Sequence, residues 1–354
     1  MYQSITAFLK HAIKHEPSEL DFQEFKRAIS IGDQVKVKVL LDRYPSFART
    51  TDHNGFNIAL QTFLLHPRAN ILVLLLEKDV PYNSEVDALG NTLLHTLAIS
   101  GNRQILEAFH KYEVNLDARD IHGRSPFSIA AEHANIETME WLHEEGCNIG
   151  AKDRLGKTPL MWAVSEGIHE HSLKAVRLML DWSANPDDGD NQGITPLMEA
   201  VRCGRVEMTR LMLDRRADPL KLSKREHSAY MLACISGHRE LIELMLTFKV
   251  PPNPPLVEGR TLFHLLASVG KHDVLDLLAA HGGDVNAINL HGATPLHVAV
   301  EEGREEVISV LIKHGANPHL PDKAGQTPLT VAMSRGLTTI EQAMMQQSPP
   351  RSVD

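Results

Sequence analysis

The chain is 354 residues long, 43% hydrophobic and 23% charged, with a formal net charge of −9. No apolar run approaches the roughly 18 residues of a membrane span, and the acidic balance argues against a general grip on nucleic acid phosphates. Three cysteines, Cys147, Cys203 and Cys234, form no CxxC pair and are too few for a disulfide framework, which fits a reducing compartment.

The first residues, "MYQSITAFLKHAIKHEPSEL", lack the charged leader and small-residue cleavage site of a secretory signal, so synthesis in a cytosol is expected. Residues 2–15 read as one amphipathic helix, expected to pack on the segment that follows. That segment, "FKRAISIGDQVKVKVLLDRYP" (25–45), reads as a helix pair acting as an N-terminal cap with a polar outer face.

From there the chain repeats itself. "GNTLLHTLAISG" (90–101) returns as "GRSPFSIAAEHA" (123–134), "GKTPLMWAVSEG" (156–167) and "GITPLMEAVRCG" (193–204). It returns again as "GRTLFHLLASVG" (259–270), "GATPLHVAVEEG" (292–303) and "GQTPLTVAMSRG" (325–336). The leading glycines are Gly55, Gly90, Gly123, Gly156, Gly193, Gly259, Gly292 and Gly325, with Glu226 where one more is due. From Gly193 the step is 33 residues, four times in succession. A fixed period of this length signals a stacked array.

Each position of the pattern has a mechanical reason. The leading glycine admits a positive φ in a tight turn, the Thr hydroxyl accepts a backbone N–H at a helix start, and Pro occupies the first turn, where an N–H has no partner. "LHVAVEE" is then predicted as a short helix ended by Gly303. In "EEVISVLIKHGANP", Val307, Val310 and Leu311 at helical spacing predict a second helix closed by Gly315. Neither helix can bury its apolar face alone, so each requires the next repeat.

With "GxTPLHxA", a second helix ending "LLxxGAN" and the 33-residue step in view, the chain resembles the ankyrin-repeat family over residues 20 to 345. The resemblance implies an all-α repeat solenoid of about ten helix-turn-helix units with β-turn fingers, in a single elongated curved array. The expected organisation is an N-terminal helix at 1–19 and an array at 20–345 whose cap is 20–51, followed by a disordered tail at 346–354. Finger tips are expected near 55, 90, 123, 156, 193, 226, 259, 292 and 325. It also implies that His95, His264 and His297 serve backbone hydrogen bonds between neighbouring units and are not ligands.

Four places break the pattern. Pro67 stands near the junction of the two helices after Gly55, where it halts a helix. Between Gly167 and Leu178 there are four more residues than in the next unit, so "IHEHSLK" is expected to lengthen a turn. "KLSKREHSAY" (221–230) lacks the tip glycine and the Thr-Pro step. "KVPPNPPLVEG" (249–259) carries four prolines and predicts a stiff, donor-poor finger. The last two are expected to be the weakest joints of the stack.

The resemblance places partner contacts around the tip glycines and at the ends of the first helices. The candidate partner-binding residues are Arg124, Arg154, Lys157, Trp162, Lys224, Arg225, His227, Arg260 and His291. Several of these are basic, a finger rim of opposite sign to the chain, which points to a protein partner with an acidic surface. Turn residues such as Asp120, Asp153, Asp190 and Asp322 lie close by and partly cancel that field, and surface charge that merely keeps the array soluble is the competing reading. Trp162 reads either as an anchor in the groove or as a residue buried between units. Trp141 reads as core. His169, His171 and Trp182 form a candidate second surface at the insertion; His-x-His without further ligand spacing is no metal site. "LAAHGGDVN" (278–286) resembles the context in which ankyrin asparagines are hydroxylated, which makes Asn286 a candidate for modification.

The repeats leave nineteen residues ahead and nine behind, short of the roughly 50 of a small domain. No GxSxG, P-loop or Cys–His signature is present. The expected function is therefore a non-catalytic adaptor or scaffold, a monomer without cofactor, metal or catalytic residues, neither binding nucleic acid nor inserting into membrane. The alternatives are a bacterial effector that engages a host protein and, remotely, an enzyme with a site on repeat surfaces. The expected location is the cytoplasm, or the host cytosol for a delivered effector; the nucleus is compatible with either.

Overall fold

A computed structural model describes residues 17–165 and 171–345. They fall into two compact units, one ending at Ala184 and the other beginning at Asn185. The amphipathic stretch 2–15, the tail after 345 and His169 lie outside the described residues.

Among the described residues the first unit contains five helix pairs: Glu19–Ile31 with Gln34–Arg43, Ile58–Leu65 with Ala69–Glu77, Leu93–Ser100 with Arg103–Leu106, Pro126–Glu132 with Ile136–Glu144, and Pro159–Ser165 with Ser172–Asp181. The second contains five more: Pro196–Arg202 with Val206–Asp214, Ala229–Ser236 with Arg239–Thr247, Leu262–Val269 with His272–Ala280, Pro295–Glu301 with Glu305–Lys313, and Pro328–Ser334 with Thr338–Met345. Among the described residues, β pairing is limited to isolated bridges, such as Pro255 with Thr261. Each unit is an all-α repeat solenoid.

The helix starts follow the chemistry of the repeated motif. Thr195 and Ser125 cap their helices by accepting the N–H groups of Met198 and Ser128, both at 3.2 Å, with Pro at the first helical position. Ser228 takes over where the Thr-Pro step is missing and accepts the Met231 N–H at 3.1 Å. Within each unit, first helices pack on first helices and second on second. Leu160, Met161, Leu275, Leu278, Leu296 and Val300 are 1% exposed or less. Full burial of one such side chain contributes about 1.5–3 kcal/mol, available only when a neighbouring repeat covers it.

The fingers are held by a second device. Asp120 Oδ1 accepts the N–H groups of His122 and Arg124, both at 2.8 Å, and Asp153 Oδ1 those of Leu155 and Lys157 at 2.9 and 2.8 Å. Asp190 and Asp322 repeat the arrangement in the second unit. These carboxylates are thus consumed in turns. At the tip the backbone is left-handed whatever the residue: φ is 74° at Gly193 and 61° at Glu226, which adopts without help a conformation that glycine enters freely.

Two details differ from expectation. The cap exposes Leu20, Ile31, Val35 and Val39, at 79, 58, 75 and 57%, because apolar residues lie on both sides of its helices; Phe25, Ile29, Val37 and Leu41 fill the side facing the stack. The helix after Asn102 runs as an α-helix only to Leu106 and continues as a 3-10 turn to Phe109. Pro67 acts as expected: the preceding helix stops at Leu65, capped by His66.

Candidate functional site

The three histidines of the repeated motif are structural. The Thr92 N–H donates to His95 Nδ1 at 3.1 Å, which leaves the proton on Nε2 to be donated to the Arg124 carbonyl of the next repeat at 3.0 Å. His264 reaches the carbonyl of Ala293 at 2.9 Å and His297 that of Gln326 at 3.1 Å in the same way. Burial depresses the pKa of His95 and His264, so the imidazole is held neutral.

In the first unit, the candidate residues at the fingers converge on Trp162. This side chain is half-buried at the first helix, and its Nε1–H donates to Asp153 Oδ2 at 3.2 Å. Lys157 Nζ lies 4.7 Å from its ring centroid and the Arg124 guanidinium 5.7 Å. Arg124 is also tied to Asp120 Oδ2 and Glu132 Oε2, both at 2.9 Å, and its side chain is 18% exposed. Burial works to raise the Asp120 pKa, but hydrogen bonds from the Arg124 amide and guanidinium outweigh it and hold the carboxyl below its ordinary range. Arg124 is therefore built into the finger, whereas Arg154 stands exposed beside it. Ile121, Leu155 and Trp162 line a cleft of about 450 Å³ with these charges.

In the second unit, the two irregular fingers face a common cleft of about 520 Å³. Leu222 and Val257 form its lips, 51 and 45% exposed, with Met231, Ile235 and Leu265 from the first helices among the lining. Arg225 comes from one finger and Arg260 from the next. Neither is held in an ion pair among the described residues. His227 is half-buried in the wall, its amide donating to Ser223 Oγ at 3.2 Å. Lys224 is exposed, and its amide donates to the Gln192 carbonyl at 2.9 Å. His291, also exposed, sits on the following finger, where its carbonyl accepts the Lys323 amide at 2.9 Å.

The remaining candidates are placed elsewhere. Trp182 stacks on His143, with ring centroids 4.2 Å apart, and touches Phe127. His171 is an exposed residue at the start of Ser172–Asp181, with no side-chain capping bond. Trp141 is 3% exposed, as expected of core. Asn286 is half-buried and bridges repeats: its Nδ2 donates to the Gly315 carbonyl at 3.2 Å and its Oδ1 accepts the Asn317 amide at 2.7 Å.

The exposed aliphatics Ile121, Leu155, Leu222 and Val257 were not among the candidates read from sequence. Their signal was present in "DIHGR", "DRLGK", "KLSKR" and "PLVEG", where an apolar residue stands within a turn that has no core to fill.

The fold and its finger face define a repeat-protein class, and comparison with known proteins agrees. The sequence matches the pattern described as ankyrin repeats (3 copies) at residues 58–153, 127–223 and 230–322. The chain belongs to the ankyrin-repeat family, whose repeats are generally protein–protein interaction modules. Among solved structures, the chain is similar to the ankyrin repeat domain of Bcl-3, described as a unique member of the IkappaB protein family. The TM-score is 0.57 at 24% identity, over 62% of this chain and 99% of that one. No curated protein matches this chain. Among the described residues no helix is long and apolar enough to cross a membrane.

Proposed function

We propose that this chain is a non-catalytic adaptor or scaffold that recognises a partner protein carrying an acidic surface through the fingers and first helices of its repeats. The observation that carries the reading is that in each unit this face leaves an apolar cleft flanked by basic side chains; beside the first cleft the turn carboxylate of Asp153 accepts backbone N–H groups, and beside the second the turn positions hold Ser223 and Leu256. Desolvated apolar contact supplies affinity at such a surface, and the basic rim supplies orientation and rate. Trp162, with Lys157 over its ring, is the aromatic anchor of the first unit.

The test is affinity capture from cell lysate with the intact chain beside a variant carrying Arg154→Glu, Lys157→Glu, Lys224→Glu and Arg225→Glu. A protein retained by the intact chain and lost from the still-folded variant supports the reading. Capture of the same proteins by both chains, insensitive to salt, overturns the role of the rim. A turnover observed with purified chain would overturn the non-catalytic assignment.

A further inference from the structure

The turn position that carries aspartate in the regular fingers runs Asp190, Ser223, Leu256, Asn289, Asp322 at the 33-residue step. Three successive fingers of the second unit therefore lack the carboxylate. The structure shows how two of them manage without it. Ser223 Oγ accepts the His227 amide at 3.2 Å, and Asn289 Oδ1 accepts the amides of His291 and Ala293 at 2.9 and 3.0 Å. At Leu256 the turn is closed by backbone alone, its amide donating to the Arg260 carbonyl at 2.7 Å. The turns persist without the aspartate at this position.

The cleft lies between the first two of these fingers. Its surroundings carry Lys224, Arg225 and Arg260 against Glu226 and Glu258, without the turn aspartates that accompany the basic residues elsewhere. Its lips, Leu222 and Val257, are apolar and face solvent. About 520 Å³ is ample for a large aliphatic or aromatic side chain with the backbone that bears it. The two walls each contribute one arginine, and among the described residues neither guanidinium is spent on an ion pair. A guanidinium presents a fork of donors that matches a carboxylate.

We infer that the cleft between residues 222–227 and 255–260 docks an extended segment of a partner protein. An aliphatic or aromatic residue of that segment enters between Leu222 and Val257, and Asp or Glu residues flanking it engage Arg225 and Arg260. This deepens the reading given under Proposed function and rests on it. The absence of two successive turn carboxylates favours acidic neighbours in this cleft: aspartates at 223 and 256 would add two internal competitors for the same arginines to Glu226 and Glu258.

The test uses random linear peptides displayed on phage, selected against the full chain, with fluorescence polarisation of the selected peptides. The expected outcome is enrichment of a large apolar residue beside Asp or Glu. Replacing that residue by serine in the peptide, or Leu222→Ser with Val257→Ser in the chain, should weaken binding about tenfold or more. Arg225→Ala with Arg260→Ala should weaken it and flatten its dependence on salt. All four side chains lie at the surface of the fingers or cleft, and thermal melts of both variants check that the fold is kept. Peptides whose binding ignores both variants overturn the inference, as does failure of the intact chain to select any peptide. A lysate partner that is lost on charge reversal at Arg154 and Lys157 but indifferent to the cleft variants would overturn the cleft and leave the adaptor reading standing.

Discussion

The Nε2–H of His95 donates to the carbonyl of Arg124, 29 residues further along, at 3.0 Å. One side chain thereby joins a first helix to the finger of the next repeat, and the side chain of Arg124 in turn organises that finger around Asp120 and Trp162. His95→Ala should leave a buried carbonyl and the Thr92 amide without partners and cost roughly 2 kcal/mol. Urea unfolding checks it; a loss indistinguishable from that of an exposed histidine, such as His291→Ala, would contradict the linking role.

Burial of the same histidines makes stability depend on pH. Burial lowers the folded pKa of His95 and His264 below 6.5, so the unfolded chain takes up protons first as pH falls. Their contribution is fully present above about pH 6.5 and is lost between there and the folded values. Melting temperatures should therefore drop as buffer pH moves from neutral toward 5, and the double variant His95→Gln, His264→Gln should show a flatter profile.

Among the basic finger residues, scaffold and recognition roles separate. Arg124→Ala strands the fully buried Asp120 carboxylate and should cost roughly 3 kcal/mol. Lys157→Ala, with its ammonium over the Trp162 ring, should cost about 1 kcal/mol or less while weakening partner binding. Denaturant melts and partner titration on both variants discriminate the two; equal stability losses would refute the separation.

Glu226 at φ 61° stands where other repeats place glycine. Glu226→Gly should stabilise the second unit by about 1 kcal/mol through relief of the left-handed strain. Gly123→Ala should do the reverse, because its Cβ would meet the Arg154 amide nitrogen at 2.9 Å in addition to the strained φ of 78°. Thermal denaturation of the two variants should move in opposite directions.

Cys147 is 8% exposed, and burial pushes its thiol up to about 12. Cys203 is half-exposed at the end of Pro196–Arg202. Brief treatment with iodoacetamide at neutral pH should label Cys203 well before Cys147 or the buried Cys234, as read by peptide mass. Prior modification of Cys147 in the folded chain would contradict the packing around it.

Much of the architecture was legible in the chain because the repeat works through local chemistry. A glycine at the turn, a hydroxyl cap, proline at the first helical position and an apolar stripe act within a dozen residues, so "GATPLHVAVEEG" announces its own helix. The role of His297 was legible too, through the family resemblance. The exposed apolar lips were not recovered: Leu222 and Val257 stand within turns that have no core to fill, but only placing the fingers shows that they border one cleft. Trp182 read as an exposed surface residue, and only the stack shows its ring on His143.

By itself the sequence determined the fold class, the helix pairs, the repeat period and the set of finger residues, since these rest on spacing and on backbone preferences that neighbouring residues impose. Only the tertiary structure decided which of those residues are engaged. Arg124 and Arg225 occupy comparable fingers and carry the same charge. One is bound to Asp120 and Glu132; the other lines an apolar cleft and is held by no carboxylate among the described residues. That difference depends on residues brought together across helices and repeats, and on how much water each charge keeps, and no local pattern records either.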